Sequence, residues 1–297
     1  MIIVDYSQTA ISSLMADLKG RTDSEISIPL VRHMIINAIR SYKVKFGAEY
    51  GDIVIACDNR KYWRRDIFQY YKAGRKKDRE GSGFDWVSIF KALNQVKDEL
   101  AEHFPYPVIE IDTAEADDII ASLVFWTQEN DLVIEGVSEE PQPILILSGD
   151  HDFMQLQRYP NVKQYSPIHR KWIKIAGNTP DQIVMDHVIM GDKGDGVPNF
   201  LSDDDTFVKE GGRQKPIRKK DLAEWRNRSI SDLKDTPHWE KIKRNFDLVD
   251  LRRIPEDLQS ACINMYCTQR NLRDKSGLLN YFVANKMKIL MDHITEF

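Results

Sequence analysis

The sequence lacks the features that would place it in a membrane, a disulfide scaffold or a zinc protein. No run approaches the roughly 18 apolar residues that cross a bilayer, and residues 1–5 lack the charged and apolar regions of a signal peptide. The three cysteines, Cys57, Cys262 and Cys267, are odd in number and have no paired metal-ligand spacing. We therefore expect reduced, structural thiols and a cytoplasmic protein without membrane contact.

The sequence also lacks the net positive charge of many nucleic-acid-binding domains, because its formal net charge is -4. Its positive charge is concentrated instead. Between Arg60 and Arg79, nine Lys or Arg residues stand against two acids, Asp66 and Asp78. With 297 residues, 42% hydrophobic and 30% charged, the chain is typical of a globular protein with one large domain or two moderate ones.

Short β-branched runs alternate with helical patterns over about the first 180 residues, which predicts an α/β domain with a mostly parallel sheet. The predicted strands are residues 2–4, 53–57, 108–111 and 144–147, with weaker strands near 162–165 and 172–175. Helices are expected at about 27–46, ending at Gly47, at 86–103, from Glu115 onward and from Thr179 onward.

After residue 180 the β-branched runs stop, so residues 181–297 are predicted to form a smaller all-helical domain. Its candidate core residues are Trp225, Leu248, Leu251, Ile263, Tyr266 and Leu290. Residues 72–83, 130–143 and 203–216 are expected to be mobile loops.

Acidic residues follow nearly every predicted strand. Asp5 follows the first strand, Asp58 the second, and Asp150 with Asp152 the fourth. The carboxyl ends of parallel strands share one edge of a sheet, so these side chains are expected to meet in one cleft. The sequence adds acids at a helix N-terminus and in the second domain: Glu115, Asp117 and Asp118, then Asp192 and Asp195.

Taken singly, each acid is better explained as a helix cap or a turn residue. The set is not, because two carboxylates about 4 Å apart repel by roughly 4 kcal/mol at an effective dielectric near 20. Several such pairs would rival a domain's whole stability of about 5–15 kcal/mol, so bound cations are expected. Oxygen ligands favour two Mg²⁺ ions, with Mn²⁺ as a substitute, and two such ions support phosphodiester hydrolysis without a protein nucleophile. His151 would point away from this cleft if its segment is extended.

A basic segment rich in aromatic residues follows Asp58 and is predicted to contact nucleic acid. A basic run is usually a solvated face, but interleaved aromatics favour stacking of single-stranded bases. Phe68 is expected in the core. The candidate contacts here are Arg60, Tyr62, Trp63, Arg64, Arg65, Tyr70, Tyr71, Lys72, Arg75, Lys76, Lys77 and Arg79. A second basic cluster either holds duplex or is a solubilising loop, and it comprises Arg213, Lys215, Arg218, Lys219 and Lys220.

Five motifs taken in order resemble the flap endonuclease and 5′→3′ exonuclease family, and in particular its bacteriophage members. The similarity covers nearly the whole chain and extends to the C-terminal Glu296-Phe297. The motifs are Asp5-Tyr6-Ser7, Cys57-Asp58-Asn59, Glu115-Ala116-Asp117-Asp118, Ser148-Gly149-Asp150-His151-Asp152 and Gly191-Asp192-Lys193-Gly194-Asp195.

The resemblance implies a PIN-like catalytic domain at residues 1–180, with an arch or gateway near residues 60–85. It also implies a helical DNA-binding domain at residues 181–297 with a helix-hairpin-helix-like element. Lys72 and Arg75 match a Lys-x-x-Arg motif that would contact the scissile phosphate, while Glu115 and Asp118 would act partly through metal-bound waters. Two metal sites are implied, one near Asp5, Asp58, Asp117 and Asp150 and one near Asp152, Asp192 and Asp195.

The chain departs from the family motif at Gly196 and Asn199, and the polar stretch 203–216 replaces a glycine-rich hairpin that binds duplex phosphates. The implied activity is removal of RNA primers and 5′ flaps from RNA·DNA hybrids and duplex DNA during phage lagging-strand replication. A monomer is expected, with single-strand-binding protein and sliding clamp as partners. Two alternatives stay open: a single-strand ribonuclease of the PIN-like class and a catalytically silent nucleic-acid-binding scaffold.

Overall fold

The computed structural model of the chain describes residues 1–18, 20, 22, 25–132, 141–272 and 274–297. A central six-stranded sheet organises the first part of the chain, and a two-stranded ribbon follows it. The sheet strands are β1 (Ile2–Asp5), β2 (Ile53–Ala56), β3 (Val108–Ile109), β4 (Ile144–Leu147), β5 (Val162–Ser166) and β6 (Lys171–Ile173), and the ribbon strands are β7 (Gly191–Asp192) and β8 (Val197–Pro198).

The strand order β3-β2-β1-β4-β5-β6 sets where a ligand can bind. The first five strands in this order are parallel, and only β6 runs antiparallel to β5. Strands β2 and β3 lie on one side of β1, and β4 and β5 lie on the other. The strand order therefore reverses at β1 and leaves a crevice at the carboxyl ends of β1, β2 and β4. The expectation of a mostly parallel sheet is confirmed.

Helices cover both faces of the sheet because its strands are apolar on both sides. Ile2 and Val4 pack with one hydrophobic cluster, whereas Ile3 packs with another on the opposite face. The helices are α1 (Tyr6–Leu18), α2 (Ile28–Tyr50), α3 (Arg64–Ile67), α4 (Gly74–Gly81), α5 (Trp86–His103), α6 (Ala116–Glu129), α7 (Pro180–Met190), α8 (Lys219–Arg226), α9 (Ile230–Lys234), α10 (Trp239–Val249), α11 (Glu256–Leu272), α12 (Leu278–Ala284) and α13 (Lys288–Met291), with 3₁₀ turns at His151–Arg158, Leu251–Arg253 and Ile294–Glu296.

The last helices return to the sheet of the first part of the chain. Residues of α12 and the terminal Phe297 share a cluster with α1, α2 and α5, while α11 packs beside α6 on the other face. The Phe297 ring lies 5.7 Å from Phe104 and 5.3 Å from Phe282, centroid to centroid. A third cluster joins α7 and α10 to Phe68 and Tyr71. The domain division at residue 180 stays a prediction.

The structure differs from the expected elements at several points. Helix α1 was not anticipated, and α2 continues past Gly47 to Tyr50, with Gly51 as its C-cap. Residues 72–83 contain α4 rather than only a loop, because three consecutive basic residues there are good helix formers. The segment from His151 is a 3₁₀ turn rather than extended chain, and His151 is exposed. The expected loop at 130–143 lies mostly outside the described residues.

The candidate core of the helical part is largely confirmed. Leu248, Leu251, Tyr266 and Leu290 are buried, whereas Trp225 and Ile263 are partly buried. None of the helices in the described part of the chain is both long and apolar enough to cross a membrane.

Candidate functional site

Four of the predicted acids line one cleft at the carboxyl edge of the sheet. Asp5 ends β1, Asp58 lies two residues beyond β2, Asp150 follows β4, and Asp117 is in the first turn of α6. Together they line a cavity of about 670 Å³, which Lys72 also borders. The reversal of strand order at β1 therefore brings together acids that are more than 140 positions apart in sequence.

None of these four carboxylates is ion-paired within the described chain, although Lys72 borders their cleft. Asp5 accepts hydrogen bonds from the Gln8 amide and the Ser148 hydroxyl, each at 3.0 Å. Asp58 accepts one from the amide of Ala116 at 3.0 Å. Within the described chain, none of the four has a Lys, Arg or His nitrogen within 4.0 Å. The four negative charges therefore repel one another, and a bound cation would offset that repulsion.

Burial, and then repulsion between carboxylates, raises the pKa values of three of these acids. Burial, then the charge of Asp58, raises the pKa of Asp5 from 3.8 to about 7, with a smaller contribution from Asp150. Burial and Asp150 raise the pKa of Asp117 well above its ordinary value. Burial and Asp152 raise the pKa of Asp150. Each of these three acids is therefore easier to protonate than an exposed acid, unless a bound cation stabilises its ionised form.

A second set of predicted acids is neutralised by the protein itself. Glu115 and Asp118 are fully buried, and one guanidinium, that of Arg64, lies 2.8 Å from an oxygen of each. Asp118 also accepts a hydrogen bond from the Trp63 indole nitrogen at 3.1 Å. Each of these two carboxylates already has an internal partner, so neither depends on a metal to balance its charge.

Lys72 and Tyr71 connect the arch segment to the same acids. The buried Lys72 ammonium contacts Glu115 and lies 3.5 Å from Asp195. The Tyr71 hydroxyl lies 2.9 Å from Glu115 and 2.8 Å from Asp195. Burial lowers the pKa of Lys72, but Asp195 and Glu115 raise it more, so its net pKa is raised and the side chain is a permanent cation.

The backbone of Lys72 is strained into this position. Its φ is +56°, a left-handed conformation unusual outside glycine, and its amide donates to the Asp195 carbonyl at 2.7 Å. Arg75 completes the contact, with its guanidinium 2.5 Å from the Asp195 carboxylate. Burial raises the pKa of Asp195, whereas Lys72 and Arg75 lower it more, so the net pKa is lowered. Asp195 is therefore a paired, ionised acid that fixes the arch.

Asp152 and Asp192 lie on the far side of Asp117, which borders a second, smaller pocket with them. Asp152 is 2.8 Å from Nδ1 of His187, a residue of α7 that the sequence did not single out. That hydrogen bond raises the pKa of His187, although burial opposes it. Asp192 accepts hydrogen bonds from the Gly194 amide at 2.7 Å and the Asp195 amide at 3.3 Å, and burial followed by Asp195 raises its pKa.

The turn that carries Asp192 and Asp195 depends on two glycines with left-handed backbone. At Gly191, where φ is +70°, an added Cβ would lie 2.4 Å from the Val197 carbonyl, which excludes any side chain. At Gly196, where φ is +73°, a Cβ would come within 3.2 Å of the Tyr70 carbonyl. The departure from the family motif at Gly196 therefore lets the turn lie against the arch.

The donor set fits a hard divalent cation. Asp5, Asp58, Asp117 and Asp150 supply only carboxylate oxygens, which suit Mg²⁺ or Mn²⁺. Among the residues that the structure describes, no three acidic, histidine or cysteine side chains converge closely enough to coordinate one ion as they stand. Coordination would draw these carboxylates together or complete the shell with water, and Mg²⁺ commonly keeps several waters.

The basic segment after Asp58 divides into exposed and buried residues. Arg64, Tyr71 and Lys72 are buried and their polar atoms contact other residues of the protein, so they do not belong to the exposed basic surface, and their contact with nucleic acid stays a prediction. Tyr62, Trp63, Tyr70 and Arg79 are partly buried. The exposed members are Arg60, Arg65, Arg75, Lys76 and Lys77 in the first segment, and all five of the second cluster: Arg213, Lys215, Arg218, Lys219 and Lys220.

Comparison with known proteins bears on these observations. Residues 2–184 match the family described as the 5′-3′ exonuclease, N-terminal resolvase-like domain. The chain belongs to the 5′-3′ exonuclease family. Residues 178–297 of this nuclease match the family described as T4 RNase H, C terminal. Ribonuclease H of Enterobacteria phage T4 is 35% identical over 303 residues, which cover 99% of this chain and 95% of that protein.

Solved structures share the fold of the nuclease. A bacteriophage T5 protein co-crystallised with metal ions superposes with a TM-score of 0.61 at 16% identity, covering 91% of this chain and 98% of its own. The T5 flap endonuclease in a pseudo-enzyme-product complex with DNA and metal ions has a TM-score of 0.60 at 16% identity, with coverage of 91% and 98%. The expected family and fold class are confirmed, and the chain is a 5′ nuclease.

Three features of the site were not anticipated from the sequence. They are the neutralisation of Glu115 and Asp118 by Arg64, the hydrogen bond from Tyr71 to the acids, and the pairing of His187 with Asp152. In sequence, Arg64 and Tyr71 belong to a basic and aromatic run that resembles a solvated binding face. Only the packing of this segment against α7 and α10 shows that they face inward.

Proposed function

We propose that this nuclease removes RNA primers and 5′ flaps from RNA·DNA hybrids and duplex DNA during phage replication, with two Mg²⁺ ions. The observation that supports this most is the division of the acids into two classes. Asp5, Asp58, Asp117 and Asp150 lack cation partners, whereas Glu115, Asp118 and Asp195 are held by Arg64, Lys72 and Arg75. The first class is proposed to hold metal, with Asp152 and Asp192 on the far side for a second ion.

Divalent ions bound at such a site lower the pKa of water and offset charge on a phosphate undergoing in-line displacement. The protein's own residues position the substrate. The Lys72 ammonium borders the cleft and is held charged by Glu115 and Asp195. Arg75 also borders the cleft and stays half-exposed, with 46% of its side chain accessible. Both cations are proposed to bind the scissile phosphate, and both are pre-positioned by their contacts with Asp195.

Substrate delivery is assigned to exposed cations on both sides of the cleft. Arg60, Arg65, Lys76 and Lys77 are proposed to track phosphates near the metal ions, and residues 213–220 to hold the duplex. A sliding clamp and single-strand-binding protein, a monomeric state and the host cytoplasm are also proposed, on the basis of the replication role alone.

The direct test is cleavage of an RNA·DNA hybrid whose RNA carries a 5′ label, with Mg²⁺ present. Short 5′-phosphorylated products that disappear in EDTA support the proposal. The same assay on free single-stranded RNA separates the alternatives. Equal cutting of free RNA would support a single-strand ribonuclease, and hybrid binding without any turnover would support a silent scaffold. Asp117→Asn serves as the inactive control, and Asp66→Asn, at an exposed acid outside the cleft, as the matched active one.

A further inference from the structure

A second cavity opens beside the carboxylate cleft and carries none of the residues assigned above. Its volume is about 400 Å³, and it lies between α1, α2 and the turn that joins β5 to β6. Ser12, Ala16 and Ile168 line both this cavity and the carboxylate cleft, so the two adjoin along α1. A chain that passes through the cleft can therefore extend into this second cavity.

The second cavity carries positive charge and no acid. Lys45 and Arg170 line it, and no Asp or Glu does. Lys45 Nζ lies 2.9 Å from the Tyr165 hydroxyl and 4.3 Å from the centre of that ring, so the aromatic face holds it without cancelling its charge. Arg170 makes no hydrogen bond or ion pair with any residue that the structure describes. Both cations are therefore available to an anion.

The hairpin that carries Arg170 is basic throughout. Residues 163–175 include four Lys or Arg residues and no Asp or Glu. Arg170 itself is exposed at the turn, with φ at +51°. Burial and Tyr165 raise the pKa of Tyr42 to about 12, and the charge of Arg170 opposes that shift. The guanidinium therefore lies close enough to Tyr42, another residue of the lining, to interact with its hydroxyl.

The serine hydroxyls of the cavity are already used inside the protein. The hydroxyls of Ser12 and Ser13 donate to the Thr9 carbonyl of their own helix, and that of Ser41 donates to the Asn37 carbonyl. These three hydroxyls are occupied, so the remaining donors in the lining are the two cations and the hydroxyls of Tyr42 and Tyr165. Two cations with no acid in the lining fit a phosphodiester backbone bound through its charge.

We propose that the substrate strand leaving the carboxylate cleft runs along α1 and places its phosphodiester backbone between Lys45 and Arg170. This inference rests on the proposed nuclease function and extends it with a binding subsite that adjoins the cleft along α1. The subsite holds the strand and takes no part in bond cleavage, so Lys45 and Arg170 are positioning residues.

The test compares Arg170→Gln and Lys45→Met with Lys171→Gln, a matched loss of one charge on the same hairpin outside the cavity lining. Binding of a labelled 5′-flap DNA is measured by anisotropy in an Asp117→Asn background with Mg²⁺, across a salt series. Each subsite variant should reduce the slope of log K against log salt by about 0.7–0.9, which weakens binding about sixfold at 0.1 M salt. Lys171→Gln should leave the slope unchanged. Arg170 has no internal partner, so its variant should melt like the parent.

Three further measurements decide the remaining outcomes. In the first, each substrate strand is shortened in turn. Shortening the strand that occupies the subsite should weaken binding by the parent and leave binding by Arg170→Gln unchanged. In the active enzyme, both subsite variants should raise KM and leave kcat unchanged. Equal losses from Arg170→Gln and Lys171→Gln, or binding of inorganic phosphate at the cavity without any strand-length effect, would overturn the inference. Failure of the unmodified enzyme to cleave would instead count against the proposed function.

Discussion

Replacement of Asp5 by Asn should stabilise the metal-free protein while removing its response to metal. Asp5 is 7% exposed, and burial with Asp58 and Asp150 raises its pKa from 3.8 to about 7. An acid whose pKa is higher in the folded than in the unfolded state stabilises the fold when it is protonated, compared with when it is ionised. Its contribution to stability is complete below pH 3.8, falls as the pH rises, and is lost once the pH exceeds about 7.

The magnitude follows from that shift. An acid that titrates near 7 when folded and near 3.8 when unfolded lowers the free energy of unfolding by about 4 kcal/mol at pH 8 and by under 2 kcal/mol at pH 5. An Asn side chain loses one of the two hydrogen bonds that Asp5 accepts, at a cost of about 1 kcal/mol. The net gain for Asp5→Asn is therefore about 3 kcal/mol at pH 8 and about 1 kcal/mol or less at pH 5.

The assay is urea unfolding in EDTA at the two pH values, with Asp66→Asn as the control for loss of an exposed charge. At pH 8, the free energy of unfolding of the unmodified protein should then rise with the Mg²⁺ concentration, because the ion binds only the folded state. That of Asp5→Asn should stay nearly unchanged. A stability gain that is the same at pH 5 and pH 8, or no gain at all, would refute the argument that Asp5 is held in unrelieved repulsion.

Three other substitutions test separate parts of the account. Asp117→Asn should reduce kcat by at least about 100-fold and change the Kd for substrate less than about twofold, measured by single-turnover cleavage and anisotropy. Arg64→Met should lower the free energy of unfolding by about 3–5 kcal/mol, because two buried carboxylates lose their shared cation, whereas Arg65→Gln at an exposed site should alter only substrate binding; equal effects on stability would contradict the burial of Arg64. Phe297→Ala should cost about 3–5 kcal/mol in urea unfolding and leave cleavage intact below its melting temperature; a loss of cleavage in the folded variant would show that this end of the chain does more than pack.

The sheet and its acids could be predicted from the sequence because both depend on local patterns. Buried parallel strands are short apolar runs; Asp5 is the last residue of one, and Asp58 and Asp150 lie within three residues of the ends of two others. The rule that parallel strands end at one edge then places them together. Helix α6 was equally clear, because Glu115 and Asp118 form a capping box at its start.

The division of labour among the acids could not be predicted in this way. In sequence, Glu115 and Asp118 look no different from Asp117, since all three open the same helix. Their burial and their shared contact with Arg64 arise from α3, about 50 positions earlier. Likewise, Lys72 is bound to Asp195 across more than 120 positions. The spacing of apolar residues predicts helices and strands, but it gives no information about contacts between residues so far apart in sequence.

Helix α1 was missed for a related reason. It begins immediately at Tyr6, directly after the strand residue Asp5, without a separate turn to mark its start. Its apolar residues Ala10, Leu14 and Leu18 are spaced by four, but the small polar residues between them resemble a loop. The same small residues leave room along α1 for the second cavity beside the cleft.

The most direct test of the central claim is a crystal of the protein soaked in Mn²⁺ and measured at the manganese absorption edge. The account predicts anomalous peaks bounded by Asp5, Asp58, Asp117 and Asp150, with Arg64 still bound to Glu115 and Asp118. Peaks coordinated directly by Glu115 or Asp118 after displacement of Arg64, or no peak in the cleft at a saturating concentration, would contradict it.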